Sequence, residues 1–241
     1  TCKRYYLFYE TLQSFLHNCK DLPIIDMVIH YDDSSSSVDR VRMHIDLMDT
    51  FKVPICHRYF DAIDTANRHA FIMKHWKQDL EQYGVDYVFH LEDDWFFMEP
   101  FSIGATLPVL KESEEIAYVG FSQPIRETTV YEIKTVGDYW EWIYDRDKPI
   151  QESLFEDVAI IREHPNIGFW CNYINWPSFT FRPGVHDVEK LKKLDNFKLQ
   201  LRFEMEFGIR YSKTYTSFNH KKRICKHIGK LSAYDLLQSN R

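Results

Sequence analysis

Three adjacent carboxylates, Glu92, Asp93 and Asp94, close the stretch DYVFHLEDDWFF (residues 86 to 97), directly after the apolar run Tyr87 to Leu91. Acids packed this closely repel one another, and a hard divalent cation, which takes oxygen ligands and accepts a diphosphate as co-ligand, relieves that repulsion. An ordinary acidic turn is the competing reading of the same spacing. Two more acidic groups share the chain: Asp32-Asp33 after Ile24 to Tyr31, and Glu204 with Glu206 in RFEMEFGIRY. Other chemistries lack their residues. The eight glycines never fall as G-x-G-x-x-G or G-x-x-x-x-G-K, and neither H-E-x-x-H nor G-x-S-x-G occurs.

The elements that must carry these acids follow from periodicity. Phe8, Leu12, Phe15, Leu16 and Cys19 mark an opening helix. An α/β domain normally opens on a strand, so the first strand is expected to be missing from the chain, lying before Thr1. Ile24 to Tyr31 reads as a strand with Asp32, Asp33 and four serines at its carboxyl end. Ser36 with Asp39 has capping-box character, and Val38, Val41, Ile45 and Met48 are expected to be the buried face of the next helix. Pro54 to Cys56 suggests a short strand. A long helix then carries Ile63, Ala66, Ala70, Met73, Trp76, Leu80 and Tyr83 at spacings of three and four, and feeds Tyr87 to Leu91, expected as a central buried strand. Further strands are expected at Ile116 to Ser122, Ser178 to Phe181 and Thr214 to Phe218, with helices around Val188 to Leu194 and Leu201 to Tyr211. Residues 123 to 175 lack clean periodicity. Alternating strands and helices imply an α/β fold with a mostly parallel central sheet flanked by helices, and no linker divides residues 1 to 241.

The order of the acidic groups resembles a GT-A fold, family 2-like glycosyltransferase. YDDSSSS at 31 to 37 resembles the strand end that meets the nucleotide, HLEDDW at 90 to 95 the metal-binding triplet, and FEMEFGIR at 203 to 210 the helix bearing the catalytic base. Glu204, Glu206, Phe207 and Arg210 match the family's acid-x-Glu-Leu/Phe-x-x-Arg pattern in register, and His227 in KHIGK resembles the C-terminal histidine that completes the metal site. The resemblance implies a single nucleotide-diphospho-sugar transferase-like domain, with a donor-binding half over about residues 1 to 100 and an acceptor-binding half over about 101 to 241. It implies a nucleotide-sugar donor (UDP-, GDP- or dTDP-sugar), a glycan acceptor, Mn²⁺ or Mg²⁺, and inversion at the transferred carbon. Glu204 is then the base, and Asp94 and His227 hold the metal. Asp32, Asp33, Arg68, Glu92 and Asp93 serve the nucleotide sugar, and Trp95, Trp176 and Glu206 face the acceptor. A sugar-nucleotide nucleotidyltransferase and a catalytically silent carbohydrate-binding protein are the alternatives.

Composition narrows the partners. A net charge of −6 opposes nucleic-acid binding, which draws on excess Lys and Arg. No apolar run approaches the length of a membrane span. Five cysteines, an odd number without a C-x-x-C pair, are expected to be free thiols in a reducing compartment, and no N-x-S/T sequon occurs, so a cytoplasmic location is expected. A domain of a larger or membrane-associated protein is the alternative.

Overall fold

The computed structural model describes residues 3–60, 68–122, 135–136, 138–141, 179–194, 207–208 and 210–229. Trp176, Glu204 and Glu206 lie outside them, as does most of residues 123 to 175.

Helix α1 (Tyr5–Asn18) leads through a 3-10 turn to β1 (Val28–Asp33), α2 (Ser37–Thr50) and β2 (Ile55–Phe60), with β1 and β2 pairing in parallel. Helix α3 (Arg68–Tyr83) ends at Gly84, whose φ of +62° is the left-handed conformation that lets a chain leave a helix without a Cβ clash. Next come β3 (Tyr87–His90), β4 (Trp95–Phe97), α4 (Leu107–Glu112) and β5 (Ile116–Gly120). The remaining elements are β6 (Thr135–Val136), β7 (Tyr139–Glu141), β8 (Gly184–Asp187), α5 (Val188–Lys192), β9 (Thr216–His220) and β10 (Cys225–His227).

The result is a mixed α/β arrangement, and three expectations need correction. The largest sheet has the order β3-β8-β5-β9-β7-β6, and only β5 with β9 pairs in parallel. The expected mostly parallel sheet is therefore not what the described residues form. The cause is β8, a four-residue strand that runs antiparallel between β3 and β5. The expected strand at 178 to 181 gives way to it, because Pro183 and Gly184, read as a strand's end, form its beginning. Second, β3 is an edge strand of this sheet and not a central one, and all four of its residues are half-buried. Third, α2 buries Met43 and Leu47, while Val38 and Val41 are each 58% exposed and Ile45 and Met48 are exposed as well. The helix carries two apolar stripes, and a period of 3.6 does not say which one turns inward. Packing against Phe8 and Leu12 of α1 decides it, with Arg40 drawn inward to the Asp32 carboxylate and the Phe60 carbonyl.

Register partners share a face of the sheet. Phe89, Val185, Val119 and Phe218 form one row, covered by Phe15 of α1, Phe97 of β4 and Leu110 of α4. The neighbouring row, His90, Gly184, Gly120 and Asn219, belongs to the opposite face, where Trp76 and Leu80 of α3 pack with Tyr118, Phe179, Phe207 and Tyr211. The Tyr118 ring lies across Gly184 and Gly120, and a Cβ on Gly120 would sit 2.6 Å from the Tyr118 hydroxyl. Both glycines are there because the ring needs their space.

Two buried histidines make this core acid-sensitive. Burial pushes His30 down to about 3, and His186, fully enclosed by Trp76, Tyr118 and Phe179, is held well below the usual histidine range for the same reason. Both stay neutral in the folded chain and accept protons freely once unfolded. Below the free-histidine pKa near 6.5 the unfolded state binds more protons, so stability is full above that pH and falls as pH drops toward 3. Denaturant unfolding at successive pH values is expected to show a loss of about 1.4 kcal/mol per pH unit for each histidine below about pH 5.5. His186→Phe should remove about half of that slope.

Candidate functional site

Strands β3, β5 and β9 point the same way, so their carboxyl ends share one edge of the sheet, the edge at which α/β proteins place ligands. Asp93 and Asp94 leave β3 at that edge, and both are 6% exposed. Strand β4 follows them at once and pairs antiparallel with β10, with Trp95 opposite His227. The Ile228 N–H continues the ladder by donating to the Asp94 carbonyl at 2.8 Å. This backbone pairing brings the His227 Nε2 to 3.1 Å from the Asp94 Oδ2, across 133 residues of sequence. Gly229 closes against the same carboxylate, where a Cβ would stand 2.6 Å from the Asp94 Oδ2.

A residue that sequence reasoning gave no role completes the cluster. The Arg4 guanidinium donates from Nη1 to the Asp94 Oδ2 at 2.7 Å and from Nη2 to the Asp93 Oδ1. Its position was faintly legible, since Arg4 stands one turn ahead of Phe8 and two turns ahead of Thr11 on the inward face of α1. The same face carries Thr11, Ser14 and Asn18, which bond to the backbone of Trp95 and Phe97 and brace the outer edge of β4. The Lys3 N–H donates to the Ser35 Oγ, and Ser35 donates to Asp32. The start of α1 is thereby tied to the carboxyl ends of both β1 and β3.

The charges are mutually set. Burial disfavours the Asp94 anion, but the His227 and Arg4 contacts outweigh it and hold the carboxyl below its usual range. The bond to Asp94 raises His227, and Asp93 and Asp94 raise Arg4 against the opposing effect of burial.

The other predicted residues divide. Asp33 accepts a bond from the Ser34 Oγ at 2.7 Å, and Asp32 is buried and engaged by Arg40 and Ser35. Asp32 therefore anchors α2 to β1. Glu92 accepts the Trp95 indole N–H at 3.0 Å, and Trp95 is a core residue of the α1 side, with its ring edge-on to His227 at 5.4 Å. The Trp95 ring is a wall behind the acids and does not present a surface to an acceptor. Arg68 begins α3. Cys19, Cys56 and Cys225 are free thiols.

Two carboxylates and an imidazole are a donor set that suits Mn²⁺ or Mg²⁺, and the Asp93 Oδ2, buried without a hydrogen-bond partner, is an oxygen for which the fold provides no other use. Among the described residues no group of three or more His, Cys, Asp or Glu side chains forms a ready cage. An open set of this kind fits a cation that keeps water or diphosphate oxygens as its remaining ligands. The positive charge on these carboxylates in the present conformation is Arg4. Replacing Arg4 with glutamine leaves two buried carboxylates without their cation, which is expected to destabilise the chain by about 3 kcal/mol or more. Mn²⁺ should then raise the melting temperature of the variant more than that of the wild type. Equal metal responses in thermal denaturation would show that Arg4 and a cation do not share the site.

Among the described residues no helix is long and apolar enough to cross a membrane. No protein-family model matches the chain, and no curated protein sequence matches it significantly.

Proposed function

We infer that the chain is a metal-dependent glycosyltransferase that moves a sugar from a nucleoside-diphosphate sugar to a hydroxyl acceptor, with inversion. One observation carries the reading: Asp93, Asp94 and His227, acids after one strand and a histidine on a strand far away in sequence, meet at the carboxyl edge of the sheet. That meeting is what the resemblance in the motifs requires and what an incidental acidic turn does not. Asp94 and His227, with Asp93 assisting, would hold Mn²⁺ or Mg²⁺, which would supply a Lewis acid for the departing diphosphate. Arg4, which donates to both carboxylates, would add a positive charge beside the diphosphate. Glu204 takes the proton of the acceptor hydroxyl, and Asp33 accepts a hydrogen bond from the base or ribose.

A sugar-nucleotide nucleotidyltransferase is the alternative enzyme reading, since it too would use the acids and a divalent cation. A silent carbohydrate-binding protein would keep the fold without using the acids. Calorimetry with UDP, GDP and dTDP, each with and without Mn²⁺, separates the three. Metal-dependent binding of a nucleoside diphosphate is expected, and its absence for all three bases would sink the reading.

A further inference from the structure

Three histidines stand in a line from the β1–β2 sheet out to the helix that covers it. His30 on β1 and His57 on β2 are register partners and so share a face. Their Nδ1 atoms are 3.2 Å apart, and the other nitrogen of His57, Nε2, lies 2.7 Å from the Nδ1 of His44 on α2. The line runs from inside to outside, with His30 buried, His57 half-buried and His44 exposed. Among the described residues, His44 and His57 have no side-chain hydrogen-bond partner other than a histidine. Two rings joined by one shared proton are a weak clasp between a helix and a strand. The same two nitrogens make a strong one around a cation.

The His57 ring is already held in place for that use. His30 stands edge-on to it at 5.4 Å, and Tyr59 stacks on it at 5.5 Å with 19° between the planes. Two nitrogens on a tetrahedral cation, each about 2.05 Å from it, are about 3.3 Å apart, so the present pair has to open by about 0.6 Å. His44, exposed on α2, has the room to turn that far. Arg40 lies over the Tyr59 ring at 4.9 Å, but its charge is paired with Asp32. Cys56 is no ligand here, since it points to the opposite face of β2, where its Sγ accepts the Tyr83 hydroxyl.

We propose that His44 and His57 form a second metal site, one that takes a transition-metal cation and staples α2 to β2. Imidazole suits Zn²⁺, Ni²⁺ and Cu²⁺, whereas carboxylate and water suit Mn²⁺ and Mg²⁺, so this site and the Asp93–Asp94 cluster prefer different metals. Two side chains fall short of a closed cage, and the cation keeps water in its remaining positions. A ligating histidine gives its second N–H to a fixed acceptor, which sets its tautomer. For His57 that acceptor is the buried His30 Nδ1, and the His57 Nε2 is left as a bare lone pair. His44 donates to this lone pair in the resting chain. Once a cation takes it, the His44 proton sits on the outer, water-facing nitrogen of that ring. None of this depends on the transferase reading.

Zn²⁺ and Ni²⁺ titrated by calorimetry into wild type, His44→Gln, His57→Gln and His17→Gln test the site, the last being an exposed histidine on α1 that serves as a control. His44→Gln and His57→Gln are each expected to weaken binding by tenfold or more, and His17→Gln to leave it unchanged. The melting temperature of wild type should rise with Zn²⁺ concentration, and His44→Gln should lose that rise. In NMR titrations the ring signals of His44 and His57 should move before those of the other histidines. Because His44 is exposed, its variant folds whether or not His57→Gln does. No binding of either cation by wild type, or binding by His44→Gln equal to that of wild type, overturns the proposal.

Discussion

Replacing Asp94 with asparagine is expected to weaken metal-dependent binding of a nucleoside diphosphate by a hundredfold or more, while the chain still folds. The Asp94 Oδ2 is the atom on which Arg4 and His227 converge, so it is the oxygen whose charge the resting cluster uses and a bound cation would use. Changing residues that merely orient metal ligands weakens metal binding by tenfold to a hundredfold, and a direct ligand is worth at least the upper end of that range. The fold should survive for a local reason. The Asp94 contribution to the junction of β4 and β10 is its backbone carbonyl, which accepts from Ile228 and is untouched by the substitution. Asparagine also keeps an oxygen for the Arg4 guanidinium, which retains Asp93 as its full ionic partner. Calorimetry with and without Mn²⁺, alongside circular dichroism, reads both halves of the expectation. Binding within about threefold of wild type would move the metal away from the end of β3.

The ease with which Asp94 could be picked from the sequence, and Arg4 could not, reflects how local each signal is. An apolar run ending in adjacent acids is complete within a dozen residues. The Ser36 cap is complete within four, with its Oγ accepting from the Asp39 N–H at 3.1 Å. Helix α1 was likewise legible, because only one of its faces is apolar enough to be buried. Helix α2 was not, because the choice between its two stripes is made by α1, and sequence periodicity contains no term for a neighbour. Strand β8 was missed for a related reason: four residues beginning with glycine have almost no strand propensity of their own. What holds β8 in place is a tyrosine 66 positions upstream that needs the space over Gly184 and Gly120. At the site, His227 was reachable only through the order of motifs. The antiparallel register that puts it opposite Trp95 is a tertiary fact.

The second large effect separates chemistry from binding. Glu204→Gln should leave the affinity for the nucleotide sugar within about twofold of wild type and lower turnover by two to four orders of magnitude, the range a positioned general base contributes. Glutamine keeps the shape and hydrogen-bonding reach of glutamate but cannot take a proton from the acceptor hydroxyl. Phe207 and Tyr211 are fully buried against Phe179, on the sheet face that carries Asn219, and Arg210 stands over the Phe207 ring at 5.7 Å. Residues 207, 208, 210 and 211 are helical, and the Tyr211 hydroxyl donates to the Thr216 carbonyl at the start of β9. In the pattern that FEMEFGIR resembles, the leading acid, here Glu204, is the base, and Glu206 follows it by two positions. The pattern to look for is therefore paired: Asp94→Asn loses the donor, while Glu204→Gln keeps the donor and loses the acidic limb of the pH–rate profile. Glu204→Gln with full turnover, beside a Glu206→Gln that is inactive, would transfer the base to Glu206.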